Sequence, residues 1–159
     1  MNVVAHLLAP SGEIPNHPRW PLLVYAKVIH DPTAEKFEEL FTANRWPAAW
    51  RNGVHGFHHF HPDGHEALGI YSGEVTVLFG GVGGVTLTAV PGDVIVLPAG
   101  TGHKRLSSRG SLGVVGAYPQ GSYPGTARKA SGNEGIAAVP LPACDPVCGP
   151  GGPLFEHWK

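Results

Sequence analysis

An all-β domain with one short N-terminal helix is the fold class this sequence predicts, on two observations. Short β-branched and apolar runs are separated by glycine and proline turns, and histidines recur at alternate positions, as they would along an extended strand. The 23 glycines and 16 prolines make up about a quarter of the 159 residues, but they fall between strand-like runs and act as punctuation.

Taken in chain order, Leu22-Leu23-Val24-Tyr25-Ala26-Lys27-Val28-Ile29 reads as a strand. Asp31 then stands as an N-cap before Pro32 at the first helical position. Glu35 in the first turn and Phe37, Leu40 and Phe41 at helical spacing predict a helix running to about Asn44. Val75 to Phe79 and Val85 to Val90 are joined by Gly80-Gly81-Val82-Gly83-Gly84, a hairpin signal. Pro91-Gly92-Asp93 turns into Val94-Ile95-Val96-Leu97, and this strand and Val75 to Phe79 are apolar on both faces. Something must cover the outer face, which predicts a homodimer. From Asn133 onward the chain is proline-rich and irregular, but Phe155 and Trp158 at its end predict a tail that wraps the domain or a second subunit.

The histidines carry the chemistry. In a strand, His59 and His61 share a face while His58 and Phe60 point the other way. Pro62-Asp63-Gly64 breaks the strand and resets its phase, so that Glu66 can point inward with them. A second turn, Pro98-Ala99-Gly100-Thr101-Gly102, returns the chain to place His103 beside the first two. Three imidazoles and a carboxylate suit one divalent transition metal, with Fe, Mn, Ni and Zn not distinguished by the donor set. His65 is the alternative ligand to Glu66, because a slip of one residue in the turn would exchange them. The remaining histidines, His6, His17, His30 and His157, lack partners at ligand spacing and are expected at the surface or core edge, while His55 and His58 could stand behind the ligands.

This pattern resembles the cupin superfamily. Its first motif, G-x5-H-x-H-x3–4-E-x6-G, is similar to Gly53, His59, His61, Glu66 and Gly73, and its second, G-x5-P-x-G-x2-H-x3-N, to Gly92, Pro98, Gly100 and His103. The segment Gly53 to His58 and the Ser107 that replaces the closing Asn are departures outside the ligand set. The resemblance implies a cupin-type jelly-roll β-barrel of six to ten strands, metal near its open end, and a homodimer of the small single-domain bacterial kind. On that reading residues 1–159 form one domain: strand and helix in 1–52, barrel motifs in 53–118, irregular tail in 119–159. Within it Trp46 to Gly53 has two readings. It is either a lid with Arg51 gripping a substrate carboxylate, or a packing segment in which Arg51 pairs with a surface acid.

Composition narrows the partners. Charged residues are 14%, the net charge is −1, and basic residues do not cluster beyond Lys104-Arg105, so no nucleic-acid or membrane partner is expected. The absence of a long apolar run or signal-like start gives a cytoplasmic location as the expectation. Cys144 and Cys148 are read as free thiols. Two functions fit: a metal-dependent enzyme, of dioxygenase or isomerase type, acting on a small oxygen-rich substrate, or a metal-holding protein that binds or senses a small molecule without turnover.

Overall fold

Val94 to Leu97 is buried on both sides because it runs through the middle of one antiparallel sheet. The computed structural model describes residues 1–159. In chain order its elements are β1 (Val3–His6), β2 (Leu22–Tyr25), α1 (Ala34–Ala43), β3 (Ala48–Asn52), β4 (Glu66–Phe79), β5 (Val85–Ala89), β6 (Val94–Leu97), β7 (His103–Ala117) and α2 (Leu154–His157). The strands follow the path β1-β2-β6-β4-β7-β3, with β5 pairing β4 as the expected hairpin. The all-β class therefore holds, with one sheet of seven strands, but the barrel is not closed. Strands β1 and β3 end the path without pairing each other. Curvature comes instead from irregularities in the long β4 and β7 pairing, near Ser72 and Thr76, where bulges bend the strands.

Alternation along the strands separates two cores. Val94 and Val96, with Tyr25, Ala67 and Val115, meet Phe37 and Phe41 of α1 and Trp46, Leu154 and Trp158. Ile95 and Leu97 point the other way, among Leu22, Leu68, Ile70, Val75, Val77, Phe79 and Val114. Helix α1 comes close because Gly69 has no side chain there; a Cβ on it would sit 2.6 Å from the Phe37 ring. The outer face of β6 is thus covered by α1 and the C-terminal tail of the same chain. For β6, the cover comes from within the chain and does not require a second subunit.

Three local expectations need correction. The helix cap is Thr33, not Asp31: its hydroxyl accepts from the Lys36 backbone N–H at 3.2 Å, three residues on, while Asp31 lies outside the helix at φ +49°. The strand read through Ile29 stops at Tyr25, because Lys27 turns at φ +51° and its N–H goes to Asp93 Oδ1 at 3.0 Å. His59 and Phe60 make only isolated bridges, to His103 and Ala127, in place of a strand. Both cysteines are free, and no helix is long and apolar enough to cross a membrane.

His17 is also not at the surface. It is 2% exposed and stacks on Trp20 with ring centroids 4.6 Å apart, its Nδ1 accepting from the backbone N–H groups of Arg19 and Trp20. His65 is equally buried nearby, Nδ1 accepting from Ala99 N–H and Nε2 donating to the Pro140 carbonyl. Burial pushes both rings down to about 4, with His65 and Arg19 adding to the effect on His17. Because the unfolded chain takes up these protons first, stability is full above about pH 6.5 and falls as pH drops toward 4. Each group adds a slope approaching 1.4 kcal/mol per pH unit, by the usual conversion of about 1.36 kcal/mol per pKa unit. Melting curves of chelator-treated protein from pH 7 to 4.5 should show this decline, and His17→Gln should flatten it; an unchanged melting temperature across the window would refute the assignment.

Candidate metal centre

The chain from β3 onward runs along one edge of β7. Arg51 and Asn52 pair with Val115 and Val114, His55 O accepts from Arg105 N–H, and His59 exchanges backbone hydrogen bonds with His103. The β6 to β7 turn holds its shape with Gly100 at φ +86° and its N–H on the His61 carbonyl at 2.8 Å. Glu66, first residue of β4, pairs with Leu97 and shares a face with Leu68 and Ile70. Three pieces of chain, the His59 to His61 stretch, the start of β4 and the start of β7, therefore deliver His59, His61, Glu66 and His103 to one place.

Each imidazole is pinned the same way. His59 Nδ1 lies 3.0 Å from the Phe57 carbonyl, His61 Nδ1 2.9 Å from Gly125 O, and His103 Nδ1 3.0 Å from Thr101 O. A carbonyl can only accept, so each Nδ1 carries a proton, and in a neutral ring Nε2 is then the nitrogen free to bind a metal. One ring nitrogen from each of the three histidines falls within a 4.8 Å cluster. His61 Nε2 and His103 Nε2 lie 3.4 Å from the two oxygens of Glu66. With neutral rings this contact is relieved by a metal ion between the donors, and without one by protons on Nε2 that donate to the carboxylate. For donors about 2.1 Å from an ion, a 3.4 Å separation subtends about 108°, inside the range of real metal sites. The residues fit a metal, and the His59, His61 and His103 group could hold one.

The electrostatics agree. Burial, with help from His103, pushes His59 down to about 3, keeping it neutral and ready to bind. For His61 burial pulls down, but the Glu66 carboxylate outweighs it and the net shift is upward. Glu66 is buried, which alone would raise its pKa, yet the two histidines hold it well below the carboxylate range. The carboxylate thus stays charged, ready to pair with the protonated histidines or with a metal ion that replaces those protons.

YjlB of Bacillus subtilis (strain 168), itself an uncharacterized protein, is 39% identical over 153 residues, which span 93% of this chain and 92% of YjlB. This chain belongs to the YjlB family. A DUF861 family protein from Thermotoga maritima is 27% identical over 55% of this chain and 92% of its own; the TM-score of 0.34 is too low to assign a fold from it. No protein-family model matches.

In this YjlB-family chain the cluster opens into a cavity of about 370 Å³, lined among others by Trp50, Asn52, Arg105, Tyr118 and Thr126. Arg51 is not on its wall. Along β3, Trp50 and Asn52 face the cavity, so alternation turns Arg51 outward, where Nε and Nη2 reach Glu38 at 2.8 and 2.6 Å and Nη2 reaches Glu35 at 3.4 Å. The packing alternative describes Arg51, whereas Trp50 does reach the site. Its ring lies against Gly116, where a Cβ would meet it at 2.0 Å, and its Nε1 donates to the Tyr118 hydroxyl at 3.0 Å. His65 is excluded as a ligand, since both its nitrogens are used elsewhere. Arg105 and Asn52 were missed by motif reading. The signal that could have found them is period two: Arg105 stands two residues beyond His103, and Asn52 two beyond Trp50.

Proposed function

We propose that this protein is a metal-binding cupin of the small single-domain kind and a metal-dependent enzyme, of dioxygenase or isomerase type, acting on a small oxygen-rich substrate. The observation that carries the reading is the set of three imidazoles with Nδ1 on carbonyls and Nε2 converging with Glu66 at the floor of an open cavity. His59, His61, Glu66 and His103 would hold one divalent transition metal. A closed four-ligand structural site would be sealed; this one borders space for a ligand. The ion would supply Lewis-acid polarisation of a substrate oxygen. The Nδ1 hydrogen bonds fix the rings, Glu66 lowers the net charge of the site, and Trp50 shields one side from water.

The second reading, a metal-holding binding or sensing protein, has its own support. Apart from the four proposed ligands, the cavity wall offers only His55 and Tyr118 as groups able to move a proton. Glu66→Gln separates the two. It keeps an oxygen donor and removes the charge. A binder loaded with saturating metal should still take up its ligand, whereas an enzyme should lose turnover by about 10²-fold or more when the carboxylate also moves protons. Metal-loaded Glu66→Gln matching wild type in every activity found for the parent would remove the enzymatic reading of Glu66.

A further inference from the structure

We infer that Arg105 anchors a carboxylate of the ligand this cavity takes, so that the ligand is a small organic acid whose other oxygens face the histidine and glutamate cluster; the second half rests on the metal-site reading above. Arg105 lies two residues beyond His103 on β7, so the two Cα atoms are about 7 Å apart on one face of an extended strand. Its backbone N–H is tied to His55 O at 2.9 Å, which seats the residue against the Gly53 to Gly56 segment. The guanidinium lies along that segment: a Cβ on Gly56 would be 3.5 Å from Nη2, and one on Gly53 4.0 Å from Nη1.

No partner within the protein satisfies this cation. Ion pairs involve His30 with Asp31, Arg51 with Glu35 and Glu38, and Glu66 with His61 and His103, and none includes Arg105. Glu66, the single carboxylate on the cavity wall, is already engaged by two histidines. The wall also carries Tyr118, Asn52, Thr126 and His55. The Tyr118 hydroxyl accepts from Trp50 Nε1 and is itself engaged with Glu66, whereas Asn52 Oδ1 accepts from Gly53 N–H at 2.9 Å and leaves its NH₂ to donate. An exposed guanidinium with no ion-pair partner, on the same wall as the free Asn52 NH₂, suits an anionic ligand with acceptor oxygens. Arg105 is the lone lysine or arginine there, which suits a singly charged carboxylate at the planar fork better than a doubly charged phosphate monoester.

The test uses succinate as the probe, with its neutral diamide and inorganic phosphate as comparisons, titrated calorimetrically into full-length protein in metal-loaded and chelator-treated forms. Arg105→Gln should weaken succinate binding by about tenfold or more, the loss expected of a charge-assisted fork, with metal content unchanged. Arg105→Lys should fall between, and Arg51→Gln should bind as wild type. Circular dichroism confirms that each variant is folded. The inference is overturned if metal-loaded wild type does not bind succinate, if Arg105→Gln binds it equally well, if the diamide binds as tightly, or if phosphate is preferred. Absence of metal from the purified protein would instead defeat the metal reading, and the wild-type to Arg105→Gln ratio in chelator-treated protein would still decide the role of Arg105.

Discussion

Replacing His59 and His103 together with alanine should leave the protein without bound metal, where the parent, purified without a chelating column, carries close to one transition-metal ion per chain. The expectation follows from how the site is built. His59 and His103 lie with ring centroids 3.9 Å apart and are joined through their backbones, so losing both removes one whole wall of the cluster. His61 and Glu66 would remain, two donors where a stable site needs three or four. Disturbing a partner behind a ligand costs about 10–100-fold in metal affinity, and removing two ligands should exceed that by a wide margin. His61→Ala alone should also weaken binding strongly. Elemental analysis by mass spectrometry, with circular dichroism to confirm folding, reads the result. Near-normal metal in the folded double variant would dismiss these residues as ligands.

The cluster was legible in the sequence because its spacing is set by local geometry. Alternation put His59 and His61 on one side, and two turns rich in proline and glycine aimed Glu66 and His103 at them. The turn alone left Glu66 and His65 interchangeable, the six-residue spacing to Gly73 in the cupin-like motif favoured Glu66, and the structure shows His65 locked between Ala99 N–H and Pro140 O. Pro140 lies 75 residues away, and no local pattern reports such a partner. The β4 to β5 hairpin and the helix were equally local, and the helix was misplaced only at its cap.

What escaped the sequence was long-range. Whether the path β1-β2-β6-β4-β7-β3 closes depends on how two distant edges meet, and alternation within a strand is silent about that. The both-sides apolar character of β6 was read correctly as a demand for cover, but the cover is α1 and the tail of the same chain. Arg51 was attractive because it follows two tryptophans, yet the period that placed the histidines also turns Arg51 away from Trp50 and Asn52. A strand reading of residues 48–52 would have turned Arg51 outward and set Trp50 and Asn52 toward the site.

Asp145→Ala should be the most destabilising single change outside the cores. Asp145 is fully buried, and its carboxylate accepts four hydrogen bonds, three that fold the tail on itself and one from Tyr25 that ties it to the sheet. Oδ1 takes the N–H groups of Val147 and Cys148 at 2.7 and 3.0 Å, and Oδ2 takes the Tyr25 hydroxyl at 2.6 Å and Leu154 N–H at 3.0 Å. Alanine would strand those donors, each at about 1–3 kcal/mol when left buried and unmet. It would also release Leu154 and Trp158 from the core beneath α1, where both are nearly inaccessible. A loss of at least about 3 kcal/mol is expected, a large part of the 5–15 kcal/mol typical of a domain. For a chain of this size that corresponds to a fall in Tm of about 6–12 °C. Asp145→Asn should cost less, because one oxygen keeps its pair of donors and the Tyr25 hydroxyl can turn to accept from the new amide. Tyr25→Phe, which removes one bond and leaves the other three, should cost least. Urea unfolding of the three variants gives the ordering directly, and an Asp145→Ala protein within about 1 kcal/mol of wild type would mean that the tail is held by apolar contact alone, since scatter of that size is ordinary for a single substitution.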